Sequence, residues 1–104
     1  MKDLRKNSFE EIVDEEGENC LVIFSRKSCP VCQSVTGKLQ ELEEEFNDIP
    51  FYHIDSEAET GLMTRFRLKG VPQVLFFQDG AEKKRIAGDN DIDDYADALE
   101  SLRN

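Results

Sequence analysis

The chain has 104 residues, a length that fits one compact domain, and 38% of them are hydrophobic, enough for one core. No apolar run approaches the roughly 20 residues of a transmembrane helix. The formal net charge of -10 argues against nucleic acid and anionic membrane surfaces as partners, because both attract positive charge. Three cysteines without a secretory signal segment favour a cytoplasmic protein over a secreted disulfide framework. We therefore expect a monomeric single domain over residues 1–104.

The first part of the chain predicts a helix followed by a buried strand. Ser8, with Glu11 three residues later, is typical of a helix start, and Gly17 is typical of a helix end. The continuous apolar run "CLVIFS", residues 20–25, is rich in residues that favour strands. An apolar run without polar alternation indicates a central strand that is buried on both faces of its sheet.

The remaining elements alternate between helical and strand patterns. A long helix is predicted by apolar residues that recur every three or four positions, namely Cys32, Val35, Leu39, Leu42 and Phe46. After it the sequence predicts the strand "FYHID", a helix over 56–68 weakened by Gly61, the strand "QVLFF", a turn at Asp79-Gly80, the strand "EKKRIAG" and a helix over 91–102.

This order of elements predicts an α/β fold. A strand, a helix and a second strand form a βαβ unit, whose strands must be parallel and joined by a right-handed crossover. The Asp-Gly hairpin adds antiparallel strands at one edge. We therefore expect a central mixed sheet with helices on both faces, completed by the hairpin and a C-terminal helix.

Two cysteines stand where the long helix begins. Cys29 and Cys32 follow the first buried strand, and Pro30 suits the first helical position, where its missing N–H is not needed. Positions three apart share a helix face, so the two sulfurs can close a small disulfide ring. The unpaired N–H groups and partial positive charge of a helix N-terminus stabilise a thiolate, so we expect an exposed Cys29 with a lowered pKa. The pattern predicts a reactive thiol and a second thiol that resolves what the first one captures.

Two other interpretations of the pair are weaker. A closed zinc site usually needs four ligands, and the chain offers only Cys20 and His53 in addition. A purely structural disulfide is disfavoured because closing so short a loop adds little stability. We expect Cys20 to be a small core residue and His53 to have hydrogen-bond partners at the surface or edge of the sheet.

The C-x-x-C pair at a strand-to-helix junction resembles the signature of the thioredoxin-like family. Gly70-Val71-Pro72 before an apolar strand, then the Asp-Gly turn and an edge strand ending at Gly88, is similar to the proline loop and terminal hairpin of thioredoxins. The resemblance covers essentially the whole chain and implies the thioredoxin fold. It also implies a thiol–disulfide oxidoreductase that reduces protein disulfides, binds no cofactor and is recycled by a flavin-dependent reductase.

The resemblance implies roles for five residues. Cys29 matches the nucleophile of the family, and Cys32 matches the resolving cysteine. Pro72 matches a cis-proline packed against the disulfide, Val71 matches the residue whose backbone pairs with an extended substrate segment, and Gly88 matches a glycine of the same groove. A glutaredoxin-like reductase served by glutathione and a non-catalytic adaptor with the same fold are the alternatives.

Three positions depart from the family pattern. The family's Trp-Cys-Gly-Pro-Cys reads "SCPVC" here, over residues 28–32, in a chain without tryptophan. Ile23 replaces a buried aspartate that is thought to help deprotonate the resolving cysteine, and Phe51 replaces a lysine often paired with that aspartate. We therefore expect Cys32 to lose its proton slowly near neutral pH, as a thiol in apolar surroundings does.

Five basic residues fall near the ends of elements that are expected to converge on Cys29. They are Arg26, Lys27, Arg65, Arg67 and Lys69. In an acidic protein, such residues can lower the pKa of a thiol or select acidic partners, and they can equally be ordinary solvated positions.

Overall fold

The structure, a computed structural model, describes residues 1–103. Strands and helices follow one another in the predicted order, with one short strand in addition at the start. The elements are β1 (Lys2–Asp3), α1 (Lys6–Phe9), a π-helical segment (Glu10–Glu15), β2 (Cys20–Ser25), α2 (Pro30–Glu45), β3 (Phe51–Asp55), α3 (Thr60–Arg65), β4 (Gln73–Gln78), β5 (Ala81–Ala87) and α4 (Ile92–Leu102). No helix within residues 1–103 has both the length and the apolar character that crossing a membrane requires.

The five strands form one mixed sheet in the order β1-β3-β2-β4-β5. β2 and β3 run parallel on either side of the α2 crossover, and β1 adds to β3 in parallel. β4 runs antiparallel to β2, and the β4–β5 hairpin forms the opposite edge. Its turn has positive φ angles at Asp79 and Gly80, 54° and 83°, which an Asp-Gly pair adopts readily. The predicted mixed sheet with its antiparallel hairpin is confirmed.

The central strand β2 separates two apolar layers, as its continuous apolar sequence predicted. Leu21 and Ile23 face the layer that contains α2 and α4, whereas the even-numbered residues of β2 face the layer that contains α1 and α3. Because strand residues alternate between faces, Ser25 points to the same side as Ile23. The end of β2 therefore presents Ser25 toward α2, the helix that carries the cysteine pair.

The first helix starts before the residue that the sequence pattern indicated. Ser8 does not cap it, because the helix begins at Lys6 and Ser8 Oγ accepts the Arg5 N–H at 2.9 Å. Buried Glu59 binds this end of the helix instead, accepting from the Lys6 N–H at 3.1 Å and from Arg5 Nε at 2.8 Å. A partner 53 residues away is invisible to a local capping pattern. Gly17, with φ of 65°, follows the π-helical segment as predicted.

The helix α3 is shorter than the predicted span of 56–68. Asp55 Oδ1 accepts the Glu57 N–H at 2.9 Å, which stabilises a turn before the helix begins at Thr60. Arg67 has a φ of 55°, outside the helical range, so the chain leaves the helix after Arg65. A turn stabilised by the Asp55 side chain therefore replaces the first part of the predicted helix, and the left-handed conformation of Arg67 replaces its last part.

Candidate active site

The C-x-x-C pair lies where β2 leads into α2. Cys29 is the N-cap of α2 and Pro30 is its first residue, both as predicted. The Cys32 N–H donates to Cys29 Sγ at 3.1 Å. The two cysteines form a disulfide, with their Cα atoms 5.1 Å apart. When the pair is reduced, the same N–H and the positive end of the helix favour a thiolate at Cys29.

Cys29 is more enclosed than the sequence indicated. Cys29 was expected to be exposed, yet it retains only 6% of its accessible surface, and Cys32 retains 2%. Val31 between them is 46% exposed, and Met1 is the only other large apolar side chain within residues 1–103 with comparable exposure. Val31 therefore presents an exposed apolar surface next to the largely enclosed Cys29.

The proline loop before β4 lies beside the segment that carries Cys29. Phe24 pairs with Gln73 in the sheet, so Val71 and Pro72 adjoin the residues that follow β2. The Val71–Pro72 peptide bond is cis, as the resemblance implied, and Pro72 is buried. The Gly88 N–H donates to the Pro72 carbonyl at 3.0 Å. Gly88 and the proline loop, which are 16 positions apart in sequence, are thus neighbours in one wall beside the site.

A polar network fastens the Gly88 loop to α2. Tyr95 Oη donates to the Gly88 carbonyl at 3.1 Å. Lys38 of α2 donates to the Asp89 carboxylate and to the Asn90 carbonyl, both at 2.6 Å. The hydrogen bond from Lys38 lowers the pKa of Asp89. Charge-assisted hydrogen bonds therefore hold the cysteine-bearing helix and the wall that contains Gly88 as one unit.

Three of the five basic residues lie beside the site. Arg26 and Lys69 line a groove that also contains Val71. Arg26 and Lys27 line a separate cavity, to which Cys32 also contributes. We call Arg26, Lys27 and Lys69 the basic rim.

Arg65 does not belong to this rim, contrary to the expectation from the sequence. Its guanidinium makes two hydrogen bonds, of 2.7 and 2.8 Å, to the Asp14 carboxylate and lies 4.9 Å from the centre of the Phe66 ring. The hydrogen bonds from Arg65 hold the pKa of Asp14 below its usual range. Arg65 is thus a structural link between α3 and the π-helical segment. Arg67 is exposed and lines neither the groove nor the cavity.

A cavity of about 340 Å³ lies between α2 and the C-terminal end of β2. Its walls come from α2, from the end of β2 with the residues that follow, and from β3. The lining residues are Cys32, Gln33, Thr36, Gly37, Gln40, Ser25, Arg26, Lys27 and His53. The residue that matches the resolving cysteine therefore borders a cavity with several polar side chains in its lining, although Ile23 makes the sheet beneath it apolar.

Three side chains from adjacent strands form a hydrogen-bonded chain beside this cavity. His53 Nδ1 lies 2.9 Å from Asp3 Oδ1, and His53 Nε2 lies 2.5 Å from Ser25 Oγ. An ionised carboxylate can only accept, so Nδ1 carries the proton and Nε2 of the neutral imidazole accepts from the Ser25 hydroxyl. The prediction that His53 has hydrogen-bond partners is confirmed. The identity of its partners had no sequence signal, because Asp3 lies on a strand of two residues.

The third cysteine is separate from the pair. Cys20 is completely buried on the other face of the sheet, as predicted, and burial raises the pKa of its thiol to about 12. Within residues 1–103, no three His, Cys, Asp or Glu side chains are grouped so that they could hold a metal ion.

Comparison with known proteins identifies one family for this chain. A family model described as thioredoxin matches residues 1–101. The chain belongs to the thioredoxin family. It is 28% identical over 89 residues to the chloroplastic M-type thioredoxin of Spinacia oleracea, a match that covers 85% of this chain and 49% of the relative. It is 27% identical over 86 residues to the thioredoxin of Oryctolagus cuniculus, with 82% of each chain covered.

Solved structures confirm the thioredoxin fold. The thioredoxin of Fasciola hepatica superposes with a TM-score of 0.87 at 21% identity, covering 98% of this chain and 99% of that one. The chain spans about half the length of the chloroplastic thioredoxins that it matches, 49% of the Spinacia oleracea and of the Oryza sativa protein. Together with the C-x-x-C pair, membership of this family supports a thiol–disulfide oxidoreductase and does not favour the glutaredoxin-like or adaptor alternatives.

Proposed function

We propose that this thioredoxin reduces disulfides of other proteins in two exchange steps. The Cys29 thiolate attacks a substrate disulfide, and one substrate sulfur leaves as a thiolate. The Cys32 thiol then loses its proton and attacks Cys29 Sγ, the bond from Cys29 to the substrate breaks, and the second substrate sulfur leaves. Two electrons have then passed to the substrate, and the protein holds the Cys29–Cys32 disulfide. The observation that supports these roles is the Cys32 N–H donated to Cys29 Sγ at the first turn of α2.

The substrate segment is proposed to bind along Val71, Pro72 and Gly88. Among the backbone hydrogen bonds of residues 1–103 that lie outside the helices and strands, none involves Val71. Its N–H and C=O are therefore free to pair with an extended chain. The hydrogen bond from the Gly88 N–H to the Pro72 carbonyl joins the two segments that form this wall of the groove. The basic rim supports a preference for acidic segments, because it places positive charge at the groove of a protein with net charge -10.

The oxidised pair needs an electron donor for the next cycle. We propose a flavin-dependent reductase as that donor, with no cofactor bound to this chain. From the cysteine usage we propose a cytoplasmic location. There the protein would contribute to electron transport and cell redox homeostasis. Cell fractionation with detection of this chain tests the compartment, and reduction of the purified protein by a purified flavin-dependent thioredoxin reductase tests the donor.

The two-step mechanism is tested by trapping its intermediate. The Cys32→Ser variant lacks the resolving thiol, so the mixed disulfide at Cys29 has no fast exit. We expect this variant to accumulate disulfide-linked partners in a lysate, and these should be released by dithiothreitol. The matched Cys29→Ser variant should capture nothing, because Cys20 is completely buried with a raised pKa and Cys32 lies inside the first turn of α2, more enclosed than the N-cap position of Cys29.

Capture by both variants, or by neither, would contradict the assigned roles. Turnover distinguishes the enzyme from an adaptor, because an adaptor would bind partners without reducing them. The wild-type protein should reduce a model protein disulfide with dithiothreitol as donor, faster than dithiothreitol alone. An identical rate with and without the protein would leave only the adaptor role.

A further inference from the structure

The resolving step needs a proton acceptor near Cys32, since only a thiolate attacks a disulfide. Ile23, completely buried, cannot serve as one. His53 is the residue directly opposite Ile23 in the register of β2 and β3. A titratable side chain is thus present one strand away from the isoleucine, on the face of the sheet that α2 covers.

We propose that the Asp3–His53–Ser25 chain accepts the proton of the Cys32 thiol in the resolving step, an inference that rests on the proposed function. His53 and Ser25 line the same cavity of about 340 Å³ as Cys32. The cavity has room for water, whose share of liquid volume is about 30 Å³ per molecule. A proton can therefore travel from Cys32 Sγ, directly or through a water in the cavity, to the Ser25 hydroxyl and from there to His53.

The proton balance follows from the hydrogen bonds. The Ser25 hydroxyl already donates to His53 Nε2, so this nitrogen receives a proton as Cys32 Sγ gives one up to the relay. The Asp3 carboxylate holds the proton of Nδ1 and stabilises the imidazolium that forms, as the carboxylate does in Ser-His-Asp arrangements. The Cys32 thiolate then displaces the substrate sulfur from Cys29. That sulfur leaves as a thiolate, and the imidazolium returns its proton to the leaving sulfur or to water.

Charged groups on the elements that adjoin His53 influence its uptake of the proton. The charged and titratable groups that share a cavity with it are Asp3, Arg5, Arg26, Lys27, Asp55 and Cys32. Arg5 is already paired with Glu59 at 2.8 Å. Among these charged groups, the Asp3 carboxylate is hydrogen-bonded to the imidazole and favours uptake of the proton, whereas the positive charges of Arg26 and Lys27 oppose it. Protonation of His53 removes the acceptor, so we expect the relay to fail in acid.

The test separates the two exchange steps with dithiobis-nitrobenzoate, an aromatic disulfide that releases coloured thionitrobenzoate. Attack by Cys29 gives a first phase that is proportional to reagent concentration. Attack by Cys32 on the mixed disulfide gives a second phase that is independent of it. Stopped-flow traces of the wild type, His53→Gln, Ser25→Ala and Asp3→Asn are compared over about pH 5 to pH 8. Gln40→Ala is the control, because Gln40 lines the cavity but is not part of the hydrogen-bonded chain.

We expect His53→Gln and Ser25→Ala to slow the second phase on the order of a hundredfold at neutral pH, the lower end for a positioned base. Asp3→Asn should slow it by a smaller factor, because the Asp3 side chain is 81% exposed. The wild-type second phase should rise with pH and then level off once His53 is fully able to accept the proton, whereas that of His53→Gln should stay slower and keep rising as the thiolate fraction of Cys32 grows. The first phase should not change in any of these variants, nor should either phase in Gln40→Ala.

A second phase within about twofold of wild type at every pH in folded His53→Gln would overturn the relay, since a positioned base contributes far more. Should that variant not fold, an unchanged second phase in Ser25→Ala would overturn the relay in the same way, because this variant removes the hydroxyl and keeps the imidazole. Loss of the first phase in the wild-type protein would instead overturn the proposed function. The two failures are therefore distinguishable in one trace.

Discussion

Replacing Ile23 by aspartate restores a carboxyl group at a position where this protein has only apolar surface. Ile23 is completely buried and pairs in register with His53 on β3 and with Val74 on β4. The new carboxyl would face the layer under α2, the helix that carries Cys32. We expect Ile23→Asp to speed up the resolving step near neutral pH, because it adds a second proton acceptor on the face of the sheet that α2 covers.

The same substitution should destabilise the fold substantially. Losing a fully buried isoleucine side chain removes about 1.5–3 kcal/mol of transfer free energy. Burying a carboxyl without a dedicated partner costs about 1–3 kcal/mol more in proteins. The expected loss of about 4 kcal/mol should shift a urea midpoint by about 2.5 M, for an m-value of about 1.5 kcal/mol/M. Burial raises the pKa of this carboxyl, so the loss should be smallest below the unfolded value of about 3.9 and grow as the pH rises.

The assay is the second phase of thionitrobenzoate release, measured with a denaturant melt of each variant. Ile23→Asn is the matched control, because it introduces a similar polar side chain that cannot accept a proton. We expect Ile23→Asn to lose stability without a gain in rate. Combined with His53→Gln, Ile23→Asp should restore the resolving step about tenfold or more. A folded Ile23→Asp variant whose resolving rate is unchanged at every pH would refute the reasoning that a carboxylate at this position assists deprotonation of Cys32.

Three further predictions concern the thiols, one ion pair and the basic rim. Iodoacetamide at mildly acidic pH should label Cys29 well before Cys32 and Cys20 in the reduced protein, and mass spectrometry that found Cys20 labelled first would contradict the site. Asp14→Asn should lower the free energy of unfolding by up to about 1 kcal/mol at neutral pH. The lowered pKa of Asp14 means that its pairing with Arg65 is lost as the pH falls, so melts of the two proteins should coincide at strongly acidic pH. An acidic disulfide peptide should be reduced faster than a basic one, with a gap that narrows as salt rises; equal rates at low salt would make the basic rim ordinary surface.

Much of the fold could be predicted because its signals are local. The apolar runs of β2 and β3 and the Asp-Gly turn contain within a few residues the features that determine their structure. The start of α1 could not be predicted in the same way, since Glu59 stabilises it from the other half of the chain. The two-residue strand β1 is too short to have a pattern, and only its pairing with β3 defines it.

The residues of the site also divide into those with a local sequence signal and those placed by long-range contacts. Cys29, Cys32 and Pro72 belong to motifs with fixed local spacing, so the sequence identified them as candidates. The hydrogen bonds of His53 depend on the register of three strands, which no local spacing reveals. Arg65 was placed near the site from its position at the end of a helix, but its geometry with Asp14 directs the side chain elsewhere.

The firm connection between α2 and the Gly88 loop has a consequence for which targets can react. Lys38 binds the Gly88 loop to α2 and Tyr95 binds it to α4, so we expect this loop to resist the movement that a folded surface would require. We therefore expect a target segment to leave its own structure and become extended before it reacts. Its reduction should then depend on the free energy of that local opening, which hydrogen exchange of the target measures. Among targets whose sulfurs are equally exposed, those in segments that open most often should be reduced first.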